Sequence, residues 1–197
     1  LGFYTRARRL EALPSLTLSQ IITRVSFPVF SSIQDDDARL KRGLRKALSM
    51  LMFVNCPLML GMAVTARPLV IVLLTEKWLP CVPYLQLLCL LGMQLPLHTL
   101  NLNVLMAKGR SDLFFRLEII KKALVVISIA VFWRWGIVSL IWGQLITSSL
   151  SYLLNSYYTG KFLKYAAVEQ LRDIGVYVVM AAAMAGGVSW VGLLEIE

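Results

Sequence analysis

The chain has 197 residues, 58% of them hydrophobic and only 16% charged, with a mean hydropathy of +0.70. Ordinary soluble domains are about half apolar and a quarter charged, so this composition excludes them in favour of membrane proteins. The net charge of +9 sits in short basic clusters between long apolar runs, which signals orientation in a bilayer and not a nucleic-acid surface.

Cys56, Cys81 and Cys89 lie in or beside apolar runs with no CxxC spacing, and His98 is the single histidine. Neither a disulfide framework nor a metal site is expected, and no cofactor is implied. The chain opens on leucine and stops abruptly after an apolar run, which reads as a piece of a longer protein with no signal peptide in view.

Six crossings are predicted in an all-α integral membrane fold, at about 14–33, 44–66, 81–106, 113–133, 136–158 and 174–194. Each supplies the ~20 residues that ~30 Å of hydrocarbon requires. The first follows a basic segment, 1–13, and holds Arg24 near its middle. At 100° per residue Thr17, Gln20, Arg24 and Ser31 share one helix face, and Leu18, Ile21, Ile22, Val25 and Val29 the opposite one. The helix is expected to turn its apolar face to lipid and its polar face to a water-filled interior, because an arginine facing lipid costs at least ~2.5 kcal/mol.

The second crossing carries Asn55 and Pro57 and is followed by a short apolar run, 69–74, that completes it or lies at the interface with Trp78 as anchor. The third lies in a longer uncharged run with Pro80, Pro83 and Pro96, so a tilted or broken helix is expected. The fourth must carry Arg116, Glu118, Lys121 and Lys122 at its end. The fifth is bounded by Trp133 and Trp135 on one side and Tyr157 and Tyr158 on the other, an aromatic belt at both interfaces. In the sixth, the Ala182/Gly186 and Ala183/Gly187 pairs have the small-xxx-small spacing that suits close helix packing.

Alternating crossings divide the basic residues unequally. Segments 34–46, 106–122 and 159–173 hold five, five and three; the opposite side holds three in 1–13, Arg67 and Lys77 after the second crossing, Arg134, and none in the tail. By the positive-inside rule the loops 34–46, 106–117 and 159–173 face the cytoplasm.

Two other crossings carry polar stripes: Gln94, His98 and Asn101 in the third, and Gln144, Ser148, Ser151 and Asn155 in the fifth. The serines, and His98 taken alone, are expected to bond across helices and hold the bundle together. Arg24 asks for more, because packing rarely needs a full charge at that depth. A guanidinium binds phosphate oxygens in bidentate fashion and stays charged, so a cavity with arginines and no mid-span acid should attract an anionic, phosphate-bearing cargo. Asp35, Asp36 and Asp37 form a DxD-like run, but with no nucleophile or second acid cluster nearby they are expected to cap the next helix.

GFYTRARRLEALP at 2–14, followed by SFPVFSSIQDD at 26–36, resembles a segment of the polysaccharide exporters of the MOP flippase superfamily (Wzx-like O-antigen, teichuronic and capsular types). The family pattern is roughly G-Y-x-x-A-x-x-L-x-x-L-P, a helix, then F-P-x-x-S-x-x-Q. The run 69–78 followed by Pro83, and the turn Met106-Ala107-Lys108-Gly109-Arg110, fit the same family, whereas Thr75-Glu76 stands where a glycine is usual. Lipid II flippases carry a similar Y-A-x-R-L-x-x-x-P segment whose arginine lines the central cavity, which by that match is Arg9.

The resemblance implies the C-terminal lobe of a MOP/MATE-like helical bundle, with an N-terminal lobe of the same protein outside this chain. It implies a transporter and not an enzyme, which carries an undecaprenyl-pyrophosphate-linked oligosaccharide across the bacterial inner membrane by alternating access for lipopolysaccharide or exopolysaccharide synthesis. Arg9, Arg24, Gln20, Gln94, His98, Asn101, Gln144 and Asn155 are then the cavity candidates. A multidrug or cation exporter of the same superfamily, a membrane glycosyltransferase or polymerase, and a structural subunit are the rival readings.

Overall fold

The computed structural model describes residues 2–194, with side chains through Trp190. These residues form seven α-helices: α1 (Gly2–Ser32), α2 (Asp37–Val64), α3 (Ala66–Leu74), α4 (Val82–Ala107), α5 (Ser111–Phe132), α6 (Ile137–Leu163) and α7 (Ala167–Leu194). Short 3₁₀ segments, Glu76–Cys81 and Trp133–Trp135, join α3 to α4 and α5 to α6. Every other connection is a few residues long. The tail at 195–197 lies outside the described residues.

Four segments are long and apolar enough to cross a membrane: Asp37–Val64, Glu76–Ala107, Ile137–Leu163 and Ala167–Trp190. The architecture is therefore of the all-α membrane class, in which each helix satisfies its own backbone. Six such crossings are not confirmed. Helices α1 and α5 have 31 and 22 residues, enough length, but are not among the segments that also meet the apolar composition. Serines, threonines, Gln20 and Arg24 dilute α1; Arg116, Glu118, Lys121 and Lys122 dilute α5.

The basic segment 1–13 is not a loop. From Gly2 it is helical and continuous with the first expected crossing through both Pro14 and Pro28. Each proline removes one i→i−4 bond. Just after Pro14, hydroxyls add bonds to helix carbonyls, Ser15 to Glu11 O (3.0 Å) and Thr17 to Leu13 O (2.6 Å). Segments 34–46, 106–117 and 159–173 likewise shrink to tight turns, since the helices extend into them. Asp36 does cap α2: its carboxylate accepts from the Arg39 amide at 2.9 Å. The run 69–74 does not complete α2 but belongs to a separate helix, α3, after a break at Thr65. Trp78 is half-buried, capped by Arg6 at 5.2 Å and met edge-on by Phe3 at 5.5 Å.

Helix α4 is central and packs against α1, α2, α5 and α6, while α7 closes the far side against α2. The small pairs expected to pack α7 do not do so in this bundle. Ala182, Ala183, Gly186 and Gly187 are exposed, and the stripe one position back, with Ala181 and Ala185, is buried with Ile174 and Gln170.

The three basic turns meet at one end of the bundle. Lys108 bonds Asp37, Lys41 bonds Glu169 (3.1 Å) and the Lys164 carbonyl (2.6 Å), and Arg45 bonds Asp173 at 2.5 Å. Asp173 also accepts from Tyr165 Oη at 2.7 Å, and burial, reinforced by that bond, raises the pKa of the phenol. The topology that alternation demands is thus built into contacts between segments far apart in sequence.

Just inside this end, Asn101 and Gln170 form a reciprocal amide pair. Asn101 Nδ2 donates to Gln170 Oε1 at 3.0 Å and Gln170 Nε2 to Asn101 Oδ1 at 3.1 Å; Tyr152 Oη and the Tyr165 carbonyl complete the set. Both amides are fully buried. Gln170→Leu strands the Asn101 amide, at a cost of about 1–3 kcal/mol, and lowers the thermal unfolding midpoint of the full-length protein in detergent. Adding Asn101→Leu is expected to recover part of that loss.

Candidate functional site

The site begins at the α1–α4 contact. The buried stripe of α1 runs through Ala7, Glu11, Ser15, Ser19 and Ser26, small or polar side chains that allow the backbones to approach. Glu11 is only 4% exposed and lies on Gly92 of α4. A Cβ at position 92 would sit 2.6 Å from Glu11 Oε1 and 2.9 Å from Met59 Sδ, so any larger residue requires these two side chains to shift. Ser15 donates to Glu11 Oε1 at 2.8 Å, and Arg8 approaches Oε2 at 3.8 Å.

Beside this contact a cleft of about 390 Å³ opens between α1, α4, α5 and α6. Its surface is largely apolar, with polar and charged side chains set into it. Arg8, Glu11 and Ser15 come from α1, His98 from α4, Glu118, Lys121 and Lys122 from α5, and Gln144, Ser148 and Ser151 from α6. Glu118 and Lys121 pair with each other. Lys122 alone among the cleft's cations has no acid partner among the described residues. An apolar extension of about 230 Å³ shares Val125, Gln144 and Thr147 with it.

The two polar stripes of α4 and α6 meet. His98 Nε2 lies 3.0 Å from Ser148 Oγ, and its Nδ1 lies 3.3 Å from Asn155 Nδ2. The Asn155 amide can only donate to Nδ1, which leaves Nε2–H to donate to Ser148. Gln94 Nε2 donates to Ser149 Oγ at 3.3 Å. Of the expected cavity residues, His98 and Gln144 line the cleft. Asn155 lies behind His98, fully buried, and Asn101 is turned to Gln170 on α7, so neither faces a cavity.

Arg24 and Arg9 lie on another face of α1. Arg24 opens with Gln20 and Thr23 into a groove of about 310 Å³ against Leu95 and Thr99 of α4. Arg9 lies with Thr17 and Gln20 along a second groove of about 550 Å³. Both arginines are exposed and without a polar partner among the described residues. At 1.5 Å per residue they stand about 22 Å apart along the helix. Ile21, Val25 and Val29 are exposed as well, at 55%, 64% and 50%. Helix α1 therefore has three faces where the sequence suggests two: basic-polar, apolar, and a buried stripe of small residues.

Sequence reasoning missed Glu11, Ser15 and the α5 charges as cleft residues. It placed Glu11 in the segment before the first crossing and found no acid in the middle of a span. The Ala7–Glu11–Ser15–Ser19 series at i, i+4 was the available signal, and it is continuous only if the helix runs through Pro14.

Comparison with known proteins adds the following. Residues 1–83 match a family described as polysaccharide biosynthesis protein. The chain is 36% identical over 130 residues to the lipopolysaccharide biosynthesis protein WzxC of Escherichia coli (strain K12), covering 66% of this chain and 26% of that protein. It is 34% identical over 154 residues to an uncharacterized membrane protein in the cps region of Klebsiella pneumoniae, covering 78% and 30%. It is 35% identical over 115 residues to the teichuronic acid biosynthesis protein TuaB of Bacillus subtilis (strain 168), covering 58% and 24%. The aligned stretches thus span under a third of the length of these three relatives. No solved structure matches.

Gly92→Val is expected to push Glu11 and Met59 aside and to cost about 1–3 kcal/mol in thermal stability. Combining it with Glu11→Ala should return part of that loss, and strictly additive effects in the double-mutant cycle would show that the two do not touch.

Proposed function

The chain is related to Wzx-like polysaccharide exporters over most of its length, and from that premise we propose that it forms the C-terminal lobe of a transporter moving lipid-linked oligosaccharide units across the bacterial inner membrane. In this reading α1 and α5 also cross the bilayer, completing six spans, and the three basic turns face the cytoplasm. The N-terminal lobe of the same protein stands over the exposed face of α1, and a shared cavity opens alternately to the two leaflets.

The observation that carries the proposal is Arg24. Its guanidinium is exposed, unpaired among the described residues, and set in a groove on an otherwise weakly charged stretch of helix. Left against hydrocarbon it would cost at least ~2.5 kcal/mol. Facing a hydrated cavity it offers a planar fork to a pyrophosphate, with Gln20 beside it. Arg9 is too far along α1 to share one pyrophosphate with Arg24, and acts as a second station nearer the opposite end from the basic turns.

The acids of the cleft give the cation-exporter reading its one supporting observation. Glu11 and Glu118 lie where a cationic drug would need them. Arg8 stands against the first and Lys121 pairs with the second, and Lys122 adds a further positive charge, so the cleft as a whole repels cations. Transport of an anion is the better fit.

In the full-length protein, Arg24→Ala and Arg9→Ala are each expected to abolish surface polysaccharide while membrane-protein level stays at wild type. Arg24→Lys should restore only part of the output, because an ammonium lacks the bidentate fork. Wild-type polysaccharide in both alanine variants would remove the phosphate-site assignment; loss of drug resistance in place of polysaccharide on deletion would favour the cation exporter.

A further inference from the structure

Building on the transport reading, we propose that the cleft between α1, α4, α5 and α6 seats a sugar ring of the cargo and selects a ring that bears one anionic substituent, a carboxylate or a phosphate. The polar groups set into its wall, namely three serines, the Gln144 amide, the His98 imidazole and the paired charges, bond to water when no ligand is present. The ligand that replaces such water bond for bond is one whose groups both donate and accept. Ring hydroxyls do this. They can donate to Glu11 and accept from Lys121, while Gln144, Ser148 and Ser151 offer both functions. A bare metal ion would leave the donors unused, and a bare phosphate would meet two carboxylates.

The charge balance then fixes the kind of ring. Arg8 offsets Glu11 and Lys121 offsets Glu118, which leaves Lys122 uncompensated. Lys122 is exposed at the edge of the cleft, where its free ammonium can form a charge-assisted bond with one negative group on the ligand. The cleft adjoins the phosphate grooves across the α1–α4 seam. Leu16 borders all three spaces, and Leu95 borders both the cleft and the Arg24 groove. Ser15 lies nine residues from Arg24, about 14 Å along α1, so a cargo extended along the helix can touch both.

The test uses the full-length protein in lipid nanodiscs and ligand-observed NMR with methyl glucuronide, methyl glucoside and inorganic pyrophosphate. The glucuronide is expected to bind roughly tenfold more tightly than the glucoside, the gain of one charge-assisted hydrogen bond. Lys122→Gln should reduce it to the level of the glucoside, and Gln144→Leu should weaken both sugars. Pyrophosphate binding, unchanged in these two variants, serves as the folding control. Equal binding of the two sugars by the wild-type protein, or an unaltered preference in Lys122→Gln, overturns the proposal. Pyrophosphate binding that survives Arg24→Ala would instead remove the phosphate site, leaving a glucuronide preference lost in Lys122→Gln as independent support for the cleft.

Discussion

The structure rests on the close approach of α1 to α4. Without a hydrophobic force between helices in lipid, such contacts depend on packing and on polar bonds. Small residues on α1 and Gly92 on α4 provide the first, and the bond that Asn103 Nδ2 of α4 donates to Ser26 Oγ of α1 at 3.4 Å provides the second. Because α4 also touches α2, α5 and α6, the placement of α1 on it decides which faces remain open.

The same contact separates two kinds of polar chemistry. On one side of the seam, unpaired guanidinium groups look outward into grooves. On the other, a cleft holds acids and bases in near balance. A single helix achieves this because residues four apart share a face while residues one or two apart do not. Arg8 and Arg9 are neighbours in sequence and serve different spaces.

At the far end of the bundle the arrangement is structural. Ion pairs between α2 and α7 and between α2 and the α4–α5 turn bind the three basic turns to one another. Exposed pairs of this kind contribute little individually. The buried Asn101–Gln170 pair behind them is where the larger energy lies, since a polar group left unpaired there finds no water. This end is tied together by contacts between helices while the grooves along α1 stay open, which suits the transporter lobe proposed above.

Composition and periodicity alone determined a helical membrane protein, the alternation of its basic turns, a cap from the aspartate run at 35–37 and the polar stripes of α4 and α6. These are local or one-dimensional properties: hydropathy sums over a window, and helical spacing follows from 100° per residue. The family resemblance was likewise legible in 2–14 and 26–36. Tertiary structure alone decided that α1 begins at Gly2 and runs through Pro14, that Ala181 and Ala185 and not the neighbouring small pairs pack α7, and that Glu11 belongs to a cleft while Asn101 and Asn155 do not. A proline's lost hydrogen bond, a glycine's vacant Cβ and a buried amide's choice of partner depend on what the other helices bring to that point, and no window along the chain contains it.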